Sequence, residues 1–422
     1  MIKLKTKLFI ITAALLCMCS IGCGKKTAGK RVTLTVVHGD NVDFNALFTQ
    51  VANRFKKQNP DIDIRFMRHG GAYYDKLTTM LAGNVTVDVF WMGQGFPSYA
   101  EKGQLLNLGP AAAASGFKPE KYYPGAIKQY YYGDKLYGVP FGVSVDMFFY
   151  NSKHLAEEGI APPSEGWTWA DLQSMSRKLT KPAAGGRVGQ YGICAINPIT
   201  LIRSFNGDLA DEQVQNCTLY SPQSIKALTY YHDLMHRHKT LMNAAAVSSL
   251  SGGSQSMGMF EAFSMGLASM GACYSWNLKS LVDNVQIDWN YTVNPTGEKM
   301  VHWLSTECMC VSADTKFPAE AAKLALFFAE ESSQRLLMRN NVPTLIALNR
   351  DANARKGISH NWRALDKIVS AGIPTPRTAK MTQFMQYFWE MIEVINTDSV
   401  PDIRALVKKH ADMMDGVLKE EI

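Results

Sequence analysis

The chain contains no Cys-x-x-Cys pair, no Walker loop, no His-Glu-x-x-His and no Gly-x-Ser-x-Gly sequence. Those absences remove the usual signatures of zinc clusters, nucleotide phosphate cradles, metalloproteases and serine hydrolases. Gly93-Gln94-Gly95 starts like a dinucleotide fingerprint, but Ser98 stands where its third glycine belongs. Charge is sparse, with 19% charged residues and a formal net charge of +7. No run of Lys or Arg forms a nucleic-acid footprint. No segment stays apolar for the ~20 residues that a membrane-spanning helix needs. Internal repeats are absent as well, and no cofactor or resident metal is indicated.

The first residues read as an address. Lys3, Lys5 and Lys7 precede an apolar stretch from Leu8 to Cys19, too short to cross a bilayer and suited to a signal peptide over residues 1–22. The stretch closes on Ser20-Ile21-Gly22-Cys23, followed by a Gly/Lys/Thr/Ala segment to Lys30. A small residue before cysteine resembles a bacterial lipobox, which makes Cys23 the expected site of lipidation and residues 23–30 a tether. Acyl chains contribute ~0.8 kcal/mol per buried methylene, so two of them hold a protein firmly. The expectation is an exported body held to the outer face of the cytoplasmic membrane by Cys23 alone. Five cysteines remain in the body, Cys194, Cys217, Cys273, Cys308 and Cys310. An odd number without metal-ligand spacing reads as small buried residues, with a Cys194–Cys217 disulfide left open.

Roughly 390 residues lie beyond the tether, more than one ordinary core accommodates. Val32, Leu34 and Val36 alternate with Thr33 and Thr35 as a strand does, and Phe44, Leu47, Phe48, Val51 and Phe55 then recur at helical spacing up to Asn59-Pro60. A strand over 62–67, a helix over 73–82 and a strand over 87–92 complete a βαβαβ opening, the pattern of a helix-covered parallel sheet. The extended run Tyr137–Tyr150 is interrupted by Pro140 and Gly142, as a segment leaving one sheet for another would be. Thr168 with Asp171 approximates a capping box. Gly185-Gly186 and residues 248–256 read as loops. Ala321 to Phe328 begins one long helix closing at Asn341 to Pro343, and Ile403 to Leu418 marks the last.

Several segments resemble the bacterial extracellular solute-binding proteins of the maltose-binding class, the sugar receptors of ABC importers. AYYDKLTTMLAGNVTVDVFWM from Ala72 is similar to that family's helix leading into an Asp-Val strand. GDKLYGVPFGVSVDMFFYNSKHLAEEGI from Gly133 resembles its first interlobe crossing, and GWTWADL from Gly166 its Trp-Thr-Trp helix start. GLASM from Gly266, with Trp276 following, resembles the segment that presents an aromatic to the ligand. STECMCVSADTKFPAEAAKLALFFAEESSQRLL from Ser305 is similar to the return crossing. Two departures stand out: Tyr274 occupies a position usually held by Gly, and Glu307-Cys308 replaces the usual glycines. The resemblance implies an α/β, two-lobed periplasmic-binding-protein-like fold with two or three interlobe crossings and a ligand cleft between the lobes. Residues 31–143 with 304–345 would form the N-terminal lobe, and 144–303 with 346–422 the C-terminal lobe. It also implies a monomer that captures a carbohydrate and delivers it to the importer's membrane subunits, without catalysis.

A sugar offers apolar C–H faces and a rim of hydroxyls, so a receptor needs flat aromatics and fixed polar groups. Loops at the carboxyl ends of strands reach such a cleft. On that ground the candidates are His38 and Asp40 after the first strand, Trp91 and Gln94 after the third, and Phe141 and Asp146 at the first crossing. Trp276 with Asn277, then Trp303, and Tyr387 on a late helix complete the set. Asp88, inside a strand, is as easily a backbone cap. Rival readings are an exported glycosidase using Asp40 and Asp146, and a ligand-sensing lipoprotein that signals to a histidine kinase. His232, His236 and His238 have a spacing that can hold a metal, but an exposed helical face explains them more simply.

Overall fold

The computed structural model describes residues 31–83, 85–93, 95–182, 188–251, 255–284, 286–338, 341–356 and 361–420. The expected signal peptide, Cys23 with its tether, Gln94 and Gly185-Gly186 lie outside them. The strands are β1 (Val32–Gly39), β2 (Ile62–His69), β3 (Val89–Met92), β4 (Tyr131–Tyr132), β5 (Lys135–Leu136), β6 (Gly138–Asn151), β7 (Lys181–Pro182), β8 (Val188–Ile193), β9 (Ala268–Tyr274), β10 (Trp289–Thr292), β11 (His302–Val311) and β12 (Gly372–Pro374). Apart from the β4–β5 hairpin they form one sheet path, β2-β1-β3-β11-β6-β9-β8-β7, with β10 added on β6 and β12 on β11.

The βαβαβ opening forms as its periodicity predicts. β1 pairs in parallel with both β2 and β3. The intervening helix Val42–Gln58 is capped by Asn41, whose side chain accepts from Phe44 N at 3.1 Å. β3 begins at Val89 rather than at 87, because Asp88 has left the strand to cap backbone. Its Oδ2 accepts Thr35 N at 2.7 Å and its Oδ1 accepts the Thr315 hydroxyl.

β6 carries the expected change of sheet. From Val139 to Val145 it pairs with β11, and from Asp146 to Tyr150 with β9. All fourteen of its residues are buried. Where Glu307–Cys308 of β11 face Gly142 and Pro140, the register shifts, so Phe141 is an extra residue on β6 and bends the strand as bulges do. Proline is tolerated there because a bulge leaves a ladder N–H unused.

Apolar side chains gather into two cores, and the two crossing strands divide between them. One core takes β1, β3, Val139 and Phe141 of β6 and Cys308–Val311 of β11. The other takes Val143–Tyr150 of β6, Leu304 of β11, β9 and the late helices Trp362–Ser370, Met381–Thr397 and Ile403–Lys419. Tyr123 and Ala126 cross over to pack in this second core.

Three expectations need correction. The long helix after Ala321 is two, Pro318–Ala329 and Glu331–Leu337, because Glu330 adopts extended backbone between them. Residues 248–251 are not loop but the end of the helix Ala244–Ser251, and Gln255 starts another. Three leading alanines propagate helix well enough to carry the serines. Cys194, Cys217, Cys273, Cys308 and Cys310 are all free, so Cys194 and Cys217 are not joined.

The capping box is present. Thr168 Oγ1 accepts Asp171 N at 3.1 Å, and Asp171 Oδ2 accepts Thr168 N at 2.8 Å, opening the helix Trp169–Leu179. Thr168→Ala is expected to lower stability by about 1 kcal/mol in chemical denaturation. An unchanged midpoint would mean that water replaces the cap without loss.

Candidate binding site

A cleft of about 880 Å³ opens where the two cores meet, lined from both sides. Tyr74, Trp91 and Tyr99 come from elements of the first core; Tyr274, Trp276, Trp303 and Trp389 come from the second. Local sequence explains each placement. Trp91 lies flat against β1 because Gly39 has no Cβ to meet its ring, and it tilts on Tyr73 at 5.5 Å. The Tyr73 hydroxyl donates to Trp91 O at 2.6 Å, fixing that strand end.

On the facing wall Tyr274 and Trp276 stack, centroids 4.2 Å apart and planes 12° from parallel. Trp303 stands edge-on to both, at 5.4 and 6.1 Å, and its Nε1–H donates to Thr375 Oγ1 at 2.9 Å. Trp276 is 47% exposed and Trp389 46%, so much apolar ring surface faces the open cleft. On the helix Met381–Thr397, Met381, Met385 and Trp389 recur every four residues and present one stripe to the cleft. Ser144, Asn197, Ser305 and Thr306 supply short polar groups between the rings.

Asp146 lies beneath this platform and is fully buried. Its Oδ1 accepts Trp303 N at 2.7 Å and Asn294 Nδ2 at 3.0 Å, and its Oδ2 accepts the Thr200 hydroxyl at 2.6 Å. His302 joins the network, with its Nδ1 2.8 Å from the Asp146 carbonyl and its Nε2 3.3 Å from Asn294 N. The Asn294 Nδ2 also lies 3.0 Å from His302 Nδ1, so the ring is held at both nitrogens. A buried carboxylate is thus held by neutral donors from three directions, which offsets its lost hydration.

The structure therefore brings together Trp91, Trp276 and Trp303 from the predicted set and sets others apart. Asp146 is a buried clamp, its oxygens already filled. Phe141 packs in the first core against Phe48 and Phe328, because the bulge turns it away from the cleft. His38 is the penultimate residue of β1 and not a loop residue. It is buried between Phe48 and Phe66, with its pKa lowered by that burial. Asp40 is exposed and accepts from Asn45 Nδ2 at 2.7 Å. Asn277 lies behind the stacked pair, in a side chamber of about 440 Å³, where Cys273 Sγ approaches it at 3.2 Å. Tyr387 packs on the second core, since the cleft-facing stripe of its helix runs through 385 and 389. His232 and His236 are structural: Val400 N donates to His232, and His236 Nε2 bonds Ile395 O. Among the described residues no cluster of metal-ligating side chains exists.

Sequence reading missed Tyr74, Tyr99, Trp389 and Glu307 as lining residues. Glu307 is the chemically informative one. Asn341 Nδ2 donates to its Oε2 at 2.8 Å, in space left by the missing Cβ of Gly142. Burial pushes the Glu307 pKa up to about 7, against the opposing pull of the Asn341 amide. A larger hollow of about 1270 Å³ is lined by Phe117, Tyr122, Leu345 and a scatter of lysines and glutamates. The smaller cleft, with aromatic rings contributed by both cores, is the better site.

The family model of the bacterial extracellular solute-binding proteins matches residues 38–335. The chain is 22% identical over 343 residues, 78% of it and 75% of the relative, to the putative ABC transporter periplasmic-binding protein YcjN of Escherichia coli. Among solved structures it is similar to the ABC substrate-binding protein Lmo0181 of Listeria monocytogenes in complex with cycloalternan. That match has 20% identity and a TM-score of 0.79, and covers 93% of this chain and 100% of the other. It is also similar to maltose-bound MalE3 of T. maritima, with 18% identity, a TM-score of 0.75 and coverage of 91% and 99%.

Glu307 gives a pH signature. Its ordinary value is 4.5 and its folded value about 7, so between the two the folded state binds more protons than the unfolded. Stability is highest below that window and falls as pH rises through it. Glu307→Gln is expected to remove this slope, so that wild type loses on the order of 2 kcal/mol relative to the variant between about pH 4.5 and about pH 7.5. Urea denaturation of both proteins across the range measures it, and parallel curves would contradict the assignment.

Proposed function

The chain belongs to the bacterial extracellular solute-binding protein family, and from that premise we propose that it captures an oligosaccharide and hands it to an ABC importer. The observation that carries the reading is the pair of aromatic walls, contributed by different cores, facing across about 880 Å³. That volume is toward the upper end for small-molecule sites, which favours several sugar rings over one. Flat rings accept the apolar faces of a pyranose, and Ser144, Asn197 and Ser305 are placed for its hydroxyls. The cycloalternan and maltose of the similar structures support this class of ligand.

Capture proceeds by lobe closure. A ligand resting on one wall when the lobes are open touches both when they close, and that difference in contact drives the motion. The lobes are 31–143 with 304–345 and 144–303 with 346–422, and β6 and β11 are the crossings about which they turn. Release follows docking on the importer's membrane subunits, and the protein works as a monomer, without cofactor or catalysis. Lipid on Cys23 keeps it at the outer face of the cytoplasmic membrane.

Calorimetric titration with a panel of linear and cyclic oligosaccharides tests the reading, with recovery of the ligand intact after prolonged incubation. Trp276→Ala is expected to weaken binding by about 2 kcal/mol, the scale of an aromatic hot spot. Its melting temperature should stay near wild type, because the ring is 47% exposed. Unaltered affinity in a folded variant would move the ligand off this platform, and sustained turnover would make the protein an enzyme.

A further inference from the structure

Glu307 and Asp75 line the cleft, and among the described residues no Lys, Arg or His does. The chain as a whole is formally +7, so the acidic cleft runs against the general charge. Asp75 is exposed at the rim, but Glu307 is part-buried in the floor and oriented. Asn341 holds Oε2 at 2.8 Å, and the absence of a Cβ at Gly142 is what admits the Asn341 side chain. Among the described residues Oε1 has no hydrogen-bond partner. Tyr74 lies close enough for the charge of Glu307 to raise the phenol pKa further, beyond the rise that burial causes. An aromatic wall beside a desolvated carboxylate is the combination that attracts an ammonium group.

We infer that the ligand presents a protonated amine to Glu307, which makes the cleft selective for amino sugars over their neutral parents. The inference rests on the saccharide reading above and names the class within it. A sugar hydroxyl hydrogen-bonds to a carboxylate but leaves its buried charge uncompensated, whereas an ammonium neutralises it in place. An opposite charge within ~4–6 Å stabilises the ionised carboxyl. Amine binding near neutral pH therefore drives a proton off Glu307, and neutral-sugar binding does not. Among the described residues the groups facing this carboxyl are the Asn341 amide and Tyr74.

The test uses matched pairs of neutral and 2-amino sugars, glucose with glucosamine, mannose with mannosamine, and cellobiose with its diamino counterpart. Each is titrated calorimetrically at pH 7 in two buffers of different ionisation enthalpy. For at least one pair the amine is expected to bind roughly tenfold tighter or more, as a charge-assisted contact allows, with proton release that the neutral sugar lacks. In Glu307→Gln, checked as folded by its melting curve, the amine-to-neutral affinity ratio should fall to near one and the proton release disappear. Equal affinities in wild type, or a preference retained by the variant, would overturn the inference while leaving saccharide capture standing. Failure of every sugar, amino or neutral, to bind would overturn both.

Discussion

The Asp146 carboxylate lies where the two crossing strands run side by side, fully buried, and its donors arrive from three separate elements. Trp303 N belongs to β11, Asn294 to the segment that leads into it, and Thr200 to the helix Pro198–Ser204. A carboxylate in such a place costs several kcal/mol to desolvate unless its lone pairs are filled. Filling them ties both crossings and that helix to one point. The consequence reaches the cleft directly. Trp303 is held through its own backbone N–H, and Tyr274 is the cross-strand neighbour of Asp146 on β9. The aromatic platform therefore inherits its geometry from a group buried beneath it.

The bulge at Phe141 is the second element of the same design. Above it β6 serves one core and below it the other, so a single buried strand connects two bodies without a free linker. Gly142, next to the bulge, leaves the space in which Asn341 reaches Glu307. Backbone irregularity in the crossing thus does two jobs, passing the strand from one core to the other and admitting an acid to the cleft floor.

Much of the fold was legible in the sequence because it obeys simple periods. The alternation of Val32 to Val36, the helical spacing of Phe44 to Phe55, the Thr168 cap and the break in Tyr137–Tyr150 all appear where those patterns put them. The start of β3 only after Asp88 and the split at Glu330 were not legible, since each depends on a distant partner or a local backbone choice. The site was read less well. Trp91, Trp276 and Trp303 reach the cleft; Asp146 does not, because a polar residue in an apolar run looks the same whether it faces solvent or fills a buried network, and Phe141 does not, because the bulge turns it into the first core. Tyr387 packs on the second core while Trp389, about 200° away in helical phase at ~100° per residue, lines the cleft. The direction of that stripe is set by packing against the second core, which one sequence does not display.

Asp146→Asn, studied by thermal melting and by saccharide titration of the folded fraction, tests the central claim that this residue is a clamp and the rings are the contact. Asparagine keeps the shape but turns an amide N–H toward a donor that Asp146 now accepts. The account predicts a loss of about 2 to 4 kcal/mol in stability, with the affinity of folded protein changed less than about threefold, ~0.7 kcal/mol. Undiminished stability combined with a fall in affinity of about tenfold or more, ~1.4 kcal/mol, would contradict it and return Asp146 to the ligand.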